Sequence, residues 1–396
     1  MTPLAIANKI LEAMERASWI RRMFEEGAHL KKERGEDRVF DFSLGNPCLE
    51  PPSAYFQALE DHLRDPRTGK FGYMPNAGYL ETRQAIASDL RAKRGVPIGP
   101  QHILMTCGAA GGLNIVLKTL LNSGDEVIVL SPFFPEYLFY LDNHGGQPVL
   151  VPTCKDFSLD LGAIEKAISM RTQAILLNSP NNPTGRMYDA DSLLELGRIL
   201  GKAYERLGHP VYLVSDEPYG EIVFDSRKLP DLFACYRYTI LVNSFSKSLS
   251  IPGERLGYVA VHPEMEGAEI LVNGLTFCNR ILGYVNAPAT QQQVIRRISG
   301  THVHPGEYEK RRDLLCKGLQ EIGYRFQWPQ GAFYLFPESP VPDEIRFVQA
   351  LMEEGILVVP GSGFGAPGYF RIAFCVGEQV IRNALSGFGR VLEHFR

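Results

Sequence analysis

A lysine, two serines and an arginine lie close together in the second half of this 396-residue sequence. Lys247 follows the apolar residues 240–242, with Ser244 and Ser246 just before it and Arg255 eight residues after it. A lysine in an apolar pocket beside another cation loses its proton more readily and can then attack a carbonyl group. The two hydroxyls and the guanidinium favour an anion. The segment therefore indicates a ligand that has both a carbonyl group and an anionic group.

An aspartate follows another apolar segment. Residues 211–214 are Val-Tyr-Leu-Val, and Asp216 comes two residues later. An unpaired carboxylate at the end of a buried strand is costly, and a cationic partner would stabilise it. The alternative is that Asp216 caps the following turn.

Small residues follow a third apolar segment. Residues 103–106 run into Cys107, Gly108, Ala109 and Ala110, at the start of a predicted helix. Backbone N–H groups at a helix start bind phosphate well, although a tight strand-to-helix turn also favours glycine. The sequence has no GxxxxGK[ST] motif, which excludes a nucleotide P-loop, and the glycine-rich residues 361–365 precede a strand, unlike a dinucleotide fingerprint.

Apolar strands that alternate with helices must position these residues. The pattern predicts a mostly parallel sheet covered by helices on both faces, an α/β fold, in which ligands bind at the carboxyl ends of the strands. After residue 290 the order of predicted helices and strands changes to one that indicates a smaller α+β unit. The predicted strands are 103–106, 126–130, 174–177, 211–214, 239–242, 257–261, 332–336, 356–359 and 369–374, and the predicted helices are 5–18, 79–93, 110–121, 190–206, 291–299, 307–322 and 378–394.

Four motifs occur in a defined order along the chain. They are Tyr73-x-Pro-x-x-Gly, Asn181-Asn182-Pro-Thr-Gly, Asp216-Glu-Pro-Tyr219, and Ser244-Phe-Ser-Lys247 with Arg255-Leu-Gly after it. In this order they resemble the motifs of the class I/II aminotransferases of fold type I, which use pyridoxal 5′-phosphate (PLP). The resemblance covers nearly the whole chain and implies a large PLP-binding domain at 46–290. It also implies a small domain formed by 1–45 and 291–396.

The resemblance implies roles for residues that would contact the cofactor. Lys247 would form the Schiff base with PLP and shuttle the proton in catalysis. Asp216 would pair with the pyridine nitrogen, and Asn182 and Tyr219 would bind the ring oxygen. The remaining cofactor-binding residues would be Gly108, Ala109, Ala110, Ser244, Ser246 and Arg255 around the phosphate, Phe134 stacked on the ring, and Tyr73 on the phosphate of the neighbouring subunit.

Substrate-binding residues are implied in the same way. Arg371 would clamp the α-carboxylate of the substrate, and its guanidinium suits that planar group. Gly45 and Asn182 would also contact the substrate, although Gly45 has the alternative role of a turn before Pro47. Arg280 lies near the place where related enzymes for dicarboxylates carry a second arginine, and it is either a pocket residue or a structural one.

The resemblance implies transamination between an amino acid and a 2-oxo acid by a ping-pong mechanism, with aspartate, glutamate or alanine as the substrate. A β-eliminating C–S lyase or a decarboxylase on the same fold is the alternative. A PLP-sensing transcription regulator is not expected, because the segment Leu44-Gly45-Asn46, which also matches the family, comes within about fifty residues of Met1 and leaves no room for a preceding DNA-binding domain. The Tyr73 motif implies a homodimer.

Composition excludes several other classes of protein. The net charge of −4 gives no basic field for nucleic acid, and no apolar run reaches the roughly 18 residues of a membrane span. Seven scattered cysteines form no CxxC pair, which favours a reducing cytoplasm. The isolated His302 and His304 have no supporting ligand cluster, so no metal site is predicted.

Overall fold

A computed structural model describes residues 6–16 and 19–396. The chain forms two compact units. The smaller unit contains the described residues up to Asn46, Tyr308–Pro329 and Phe333–Arg396. The larger unit contains Pro47–Glu307 and Gln330–Ala332.

Helices and strands alternate through most of the described chain. The helices are α1 (Asn8–Arg16), α2 (Trp19–Arg34), α3 (Ser53–Arg64), α4 (Leu80–Arg94), α5 (Gly108–Leu120), α6 (Glu136–Asn143), α7 (Leu161–Ala167), α8 (Ala190–Leu207), α9 (Phe245–Ser248), α10 (Ala268–Ile281), α11 (Ala289–Ile295), α12 (Gly306–Ile322), α13 (Glu344–Glu353) and α14 (Glu378–His394). The strands are β1 (Phe40–Asp41), β2 (Ile103–Thr106), β3 (Glu126–Ser131), β4 (Gln147–Pro152), β5 (Thr172–Asn178), β6 (Tyr212–Asp216), β7 (Thr239–Ser244), β8 (Gly257–Val261), β9 (Tyr334–Leu335), β10 (Ile356–Leu357), β11 (Val359–Pro360) and β12 (Phe370–Ala373).

A seven-stranded sheet forms the centre of the larger unit. Its order is β2-β8-β7-β6-β5-β3-β4, and β8 alone among these strands runs antiparallel to its neighbours. Strands β2, β7 and β8 consist almost wholly of buried residues, as expected for a sheet that helices cover on both faces. The predicted mostly parallel α/β sheet is confirmed. The sequence did not indicate β4, an edge strand with two prolines and mostly exposed side chains.

Two helices of the larger unit have ends that are set by a capping residue. The Asp189 carboxylate accepts a hydrogen bond from the Ser192 N–H (2.8 Å) and caps the start of α8. Helix α4 ends at Arg94 and is followed by the cap residue Gly95, whose φ of 69° lies in the left-handed region that favours glycine. Asp189 and Gly95 thus fix where two long helices begin and end.

The smaller unit contains two short sheets. Strand β1 pairs in parallel with β10, and β11-β12-β9 form an antiparallel sheet. The predicted strand 356–359 was wrong in extent, since it divides into β10 and β11, which pair with different partners. The predicted strand 332–336 is reduced to β9, because Ala332 has a φ of 58° that interrupts the extended chain.

Residues 291–307 group with the larger unit, whereas the sequence assigned them to the small domain. Helix α11 begins at Ala289 and ends at Ile295, earlier than predicted. Gln292 bonds this helix to the start of α4, because its side-chain oxygen accepts from the Tyr79 N–H (2.9 Å) and its carbonyl accepts from the Thr82 hydroxyl (3.0 Å). These hydrogen bonds, of which the one from Thr82 is fully buried, account for the grouping.

The predicted helix 5–18 corresponds to α1 in part. Its residues Ala5, Ala17 and Ser18 lie outside the described residues. Within the part of the chain that the structure describes, no helix combines the length and apolar character needed to cross a membrane.

Candidate active site

Several predicted site residues follow strands that end at one edge of the central sheet. Strands β2, β5, β6 and β7 all run in the same direction, because β8 is antiparallel to both β2 and β7. Gly108 follows β2, Asp216 ends β6, and Lys247 follows β7. Asp216 pairs in register with Val242 of β7 and with Asn178 of β5. This is the edge at which open α/β sheets bind ligands.

Asp216 is 6 % exposed, and its two carboxyl oxygens differ in their hydrogen bonding. Oδ2 accepts a hydrogen bond from the Tyr137 hydroxyl (2.6 Å), whereas Oδ1 has no hydrogen-bond partner among the described residues. Burial raises the pKa of Asp216 to about 7, Glu217 adds to the rise, and the Tyr137 hydrogen bond opposes it. A buried oxygen without a partner suits a ligand that donates a hydrogen bond or carries a positive charge.

Sequence reasoning missed Tyr137. It lies three residues after Phe134 at the start of α6, and the two rings are in edge contact with centroids 5.5 Å apart. The available signal was its position three residues after a predicted cofactor-binding residue, and the Tyr137 N–H donates to the Phe134 carbonyl (3.1 Å) in the turn that leads into α6. The Tyr137 hydroxyl fixes one Asp216 oxygen and leaves the other for a ligand.

Asn178, which was also missed, connects two predicted site residues. Its side-chain amide donates to the Asp216 carbonyl (2.8 Å), and its side-chain oxygen accepts from the Asn182 N–H (2.7 Å). Asn182 is buried. The Asn178 side chain therefore holds the loop that contains Asn182 against the end of β6.

The glycine-rich turn contacts the predicted arginine. Gly108 begins α5 with a φ of 70°, and a Cβ atom there would lie 2.8 Å from Arg255 Nη2. Gly257 also lies close to this turn, because a Cβ atom added at position 257 would lie 2.7 Å from the Gly108 carbonyl carbon. Ala109 and Ala110 form the first turn of α5. A guanidinium beside the positive end of a thirteen-residue helix is a suitable place for a phosphate.

The lysine segment follows directly from β7. Lys247 lies on the short helix α9 and is half-buried, and Ser244 and Ser246 on either side of Phe245 are buried. Tyr219 is 5 % exposed and follows β6 by three residues. The larger unit thus contains all the predicted cofactor-binding residues, although Tyr73 is 93 % exposed at its surface.

Gly45 and Arg371 lie together in the smaller unit. Arg371 is 2 % exposed in β12, donates to the Ser43 carbonyl, and lies over the Tyr334 and Phe364 rings at 4.7 and 4.8 Å. Position 45 requires glycine, because a Cβ atom there would lie only 2.0 Å from the Tyr334 hydroxyl oxygen. The two rings hold a planar cation in one orientation, which suits a bidentate contact with a carboxylate.

Residues 37–388 match the protein family described as aminotransferase class I and II. The chain belongs to this family. It is a PLP-dependent aminotransferase, as the resemblance of its motifs implied.

Named relatives agree with this assignment. The aspartate/prephenate aminotransferase of Thermus thermophilus is 34 % identical over 367 residues, which cover 91 % of this chain and 92 % of the relative. A solved aminotransferase from Eubacterium rectale has a TM-score of 0.96 at 34 % identity, covering 99 % of this chain and 100 % of that structure. The Thermus thermophilus aspartate aminotransferase with maleate has a TM-score of 0.88 at 28 % identity, covering 98 % and 100 %. These relatives do not favour the C–S lyase alternative.

The aminotransferase has groups that suit each part of PLP. The Asp216 oxygen that has no partner among the described residues suits a protonated ring nitrogen. Arg255 and the start of α5 suit the phosphate, and the amine of Lys247 suits the aldehyde. The donor set therefore fits the cofactor of the family.

Proposed function

We propose that this aminotransferase takes its amino group from a dicarboxylic amino acid, aspartate or glutamate, and passes it to a 2-oxo acid in two half-reactions. The observation that carries the proposal is the similarity to the Thermus thermophilus enzyme named for aspartate and prephenate. The structure of the related aspartate aminotransferase with maleate supports it, since maleate is a four-carbon dicarboxylate.

In the proposed mechanism PLP supplies an electron sink for the carbanion that forms at the substrate Cα. Lys247 attaches the cofactor and then moves the proton at the substrate Cα as general base and general acid. Asp216 Oδ1 keeps the ring nitrogen protonated, while Tyr137 holds the other oxygen of this carboxyl. Asn182 and Tyr219 donate hydrogen bonds to the ring oxygen.

The other residues of the mechanism bind and orient. Arg255, the serine hydroxyls and the first N–H groups of α5 hold the phosphate, and Phe134 stacks on the ring. Arg371 binds the substrate α-carboxylate, with the backbone of Gly45 beside it. The rings of Tyr334 and Phe364, both in contact with the Arg371 guanidinium, support this role, because they restrict its orientation.

A substrate screen tests the proposed reaction. Amino acids are mixed with the holoenzyme, and the loss of the cofactor's absorption band is followed with and without 2-oxoglutarate, pyruvate or oxaloacetate. We expect aspartate and glutamate to give the largest kcat/KM. Release of ammonia and pyruvate without an added oxo acid would indicate elimination instead, and a preference for alanine would indicate a neutral donor.

We propose that Arg280 favours these acidic substrates from across a subunit interface. Arg280 is exposed near the end of α10, with its guanidinium 5.4 Å from the Phe277 ring centroid. A charge-assisted hydrogen-bonded pair contributes about 1.5–3 kcal/mol. Arg280→Ala should therefore lower kcat/KM for aspartate and glutamate by roughly one to two orders of magnitude, while alanine changes little.

Arg237→Ala is the matched control for Arg280→Ala, since Arg237 is also exposed and lies 5.0 Å from the ring centroid of its neighbour Tyr238. The control should leave both substrate classes unchanged. If Arg280→Ala lowers kcat/KM equally for acidic and neutral substrates, or for neither, Arg280 has a structural role.

We further propose that the enzyme is a homodimer in which Tyr73 serves the phosphate of the partner subunit. Exposed apolar side chains on two adjoining segments support this. Asn279 and Asn286 donate to backbone carbonyls of residues 74–76 and so hold this segment beside the end of α10. Phe71 and Tyr73 come just before residues 74–76, and Phe277 and Ile281 lie on α10. Each of these four side chains is about half exposed or more. Exposed apolar clusters of this kind are typical of protein interfaces.

Light scattering should give twice the 44.2 kDa mass of the chain. Tyr73→Phe removes one hydroxyl and should weaken PLP binding while this mass stays the same. A stable and fully active species with the mass of one chain would refute the shared site.

A cytoplasmic location is our proposal from the cysteine chemistry. None of the seven cysteines forms a disulfide, and two of them, Cys48 and Cys154, are exposed. Exposed cysteines outside disulfides are typical of a reducing compartment.

A further inference from the structure

A buried ion-pair network begins one residue after Asp216. Glu217 has a side chain 1 % exposed, and Arg94, 11 % exposed, donates to its Oε2. The other Glu217 oxygen accepts from the Ser215 hydroxyl (2.7 Å). The second Arg94 nitrogen donates to Asp231 Oδ1 (3.0 Å). Both Glu217 oxygens are therefore occupied by groups of the larger unit.

Arg94 is held from several sides. It is the last residue of α4, and its guanidinium lies 5.7 Å from the centroid of the Phe233 ring. Asp231, which binds it, also accepts from the Phe233 N–H (3.1 Å). The Glu217 N–H donates to the Val242 carbonyl (2.9 Å), which joins the network to β7. The end of α4 is thus tied to the ends of β6 and β7.

The charges of this network act on Asp216. Two carboxylates on adjacent buried residues disfavour ionisation of each other. The Tyr137 hydroxyl binds Asp216 directly, and burial raises the pKa of Tyr137 and of nearby Tyr140, so both hydroxyls are neutral. Among these neighbours Glu217 carries the negative charge that raises the pKa of Asp216. The Arg94 cation on Glu217 offsets that charge.

We propose that Arg94 is a positioning residue that acts through Glu217 to keep Asp216 ionised and oriented toward the cofactor ring. This inference rests on the proposed pairing of Asp216 with the ring nitrogen. It assigns the network a role in the reaction beyond the stability of the fold. Arg94 touches neither cofactor nor substrate in this role.

Three variants test the role of Arg94. Arg94→Met leaves Glu217 as an uncompensated charge and should weaken PLP binding to the apoenzyme by about tenfold in Kd. It should also lower kcat more than it changes KM for the amino acid. Glu217→Gln keeps a side-chain oxygen for Arg94 and should bind PLP as the wild type does. The double variant R94M/E217Q removes both charges and should restore the Kd to within about threefold of the wild type.

Lys93→Met is the matched control. Lys93 precedes Arg94 on the same helix, is 39 % exposed, and pairs with Asp89 and Glu221 instead of Glu217. It should leave the Kd for PLP unchanged. The Kd is measured by quenching of protein fluorescence on titration of the apoenzyme with PLP, and the fold is checked by circular dichroism.

The free energy of unfolding, measured beside the Kd for PLP, separates this role from a structural one. If Arg94 only stabilises the fold, R94M lowers the free energy of unfolding while its folded protein binds PLP as the wild type does, which would overturn the proposal. Should R94M fail to fold, the double variant decides alone: a near-wild-type Kd supports the proposal and a tenfold weaker one overturns it. An equally weakened binding of PLP in Lys93→Met would also overturn the proposal.

Asp216→Asn separates this inference from the proposed function on which it rests. If Asp216→Asn binds PLP and turns over normally, the role of Asp216 itself is wrong. If Asp216→Asn is impaired and Arg94→Met is not, the role of Asp216 stands and that of Arg94 is wrong.

Discussion

Lys247→Ala should lower the rate of transamination by about a thousandfold or more, because general acid–base catalysis alone contributes roughly 10²–10⁴-fold. It should also abolish the covalent attachment of PLP. Borohydride treatment and mass spectrometry of the digested protein measure this attachment, and kcat measures the rate. The fold should persist, since Lys247 is half-buried on a four-residue helix.

Lys228→Ala is the control for the lysine prediction, because Lys228 is an exposed lysine of the same unit. It should retain the modified peptide and the rate of the wild type. Borohydride-stable PLP in Lys247→Ala, together with normal turnover, would show that another residue attaches the cofactor.

The second large effect is expected for Asp216→Ala. This substitution removes the buried oxygen that suits the ring nitrogen and leaves the Tyr137 hydroxyl without its acceptor. The ring then loses its proton and no longer draws electrons from the substrate Cα. We expect kcat to fall well over tenfold, more than about 1.4 kcal/mol in the barrier, and KM for the amino acid and Kd for PLP to change less.

Asp189→Ala is the matched control for Asp216→Ala, because it removes a carboxylate that lies outside the site. Asp189 caps α8, so this variant should lower the free energy of unfolding by about 0.5–2 kcal/mol and leave kcat unchanged. A rate for Asp216→Ala within about tenfold of the wild type would contradict its role as the partner of the ring.

The sequence was sufficient to predict the central sheet because each inner strand is a short apolar run followed by polar residues. Strands β6 and β7 are examples, and their ends place Asp216 and Lys247 at the same edge. The family resemblance then supplied roles for these residues, which stay predictions until the variants are measured. Fold, cofactor and reaction class were predicted, and the family match confirms them.

Contacts between distant residues could not be predicted from patterns. Tyr137 reaches Asp216 across 79 residues, and Arg94 reaches Glu217 across 123. No periodicity encodes such pairs, since they depend on which strands become neighbours. Short strands were the other difficulty: β10 and β11 have two residues each, too few for an alternating pattern.

Because β8 comes after β2 and β7 in the chain, the proposed cofactor site can be completed only late in synthesis. The glycine-rich turn after β2 and Lys247 after β7 become neighbours only when β8 has inserted between these strands, and Gly257 at its start then lies against Gly108. A nascent chain that ends before residue 257 therefore has β2 and β7 with open edges, which favour pairing with other chains. A ligand held by both the glycine-rich turn and Lys247 would stabilise the chain only after β8 has joined the sheet. If the proposed site binds PLP, supply of the cofactor would affect how much of the finished enzyme persists, but not how its first strands assemble.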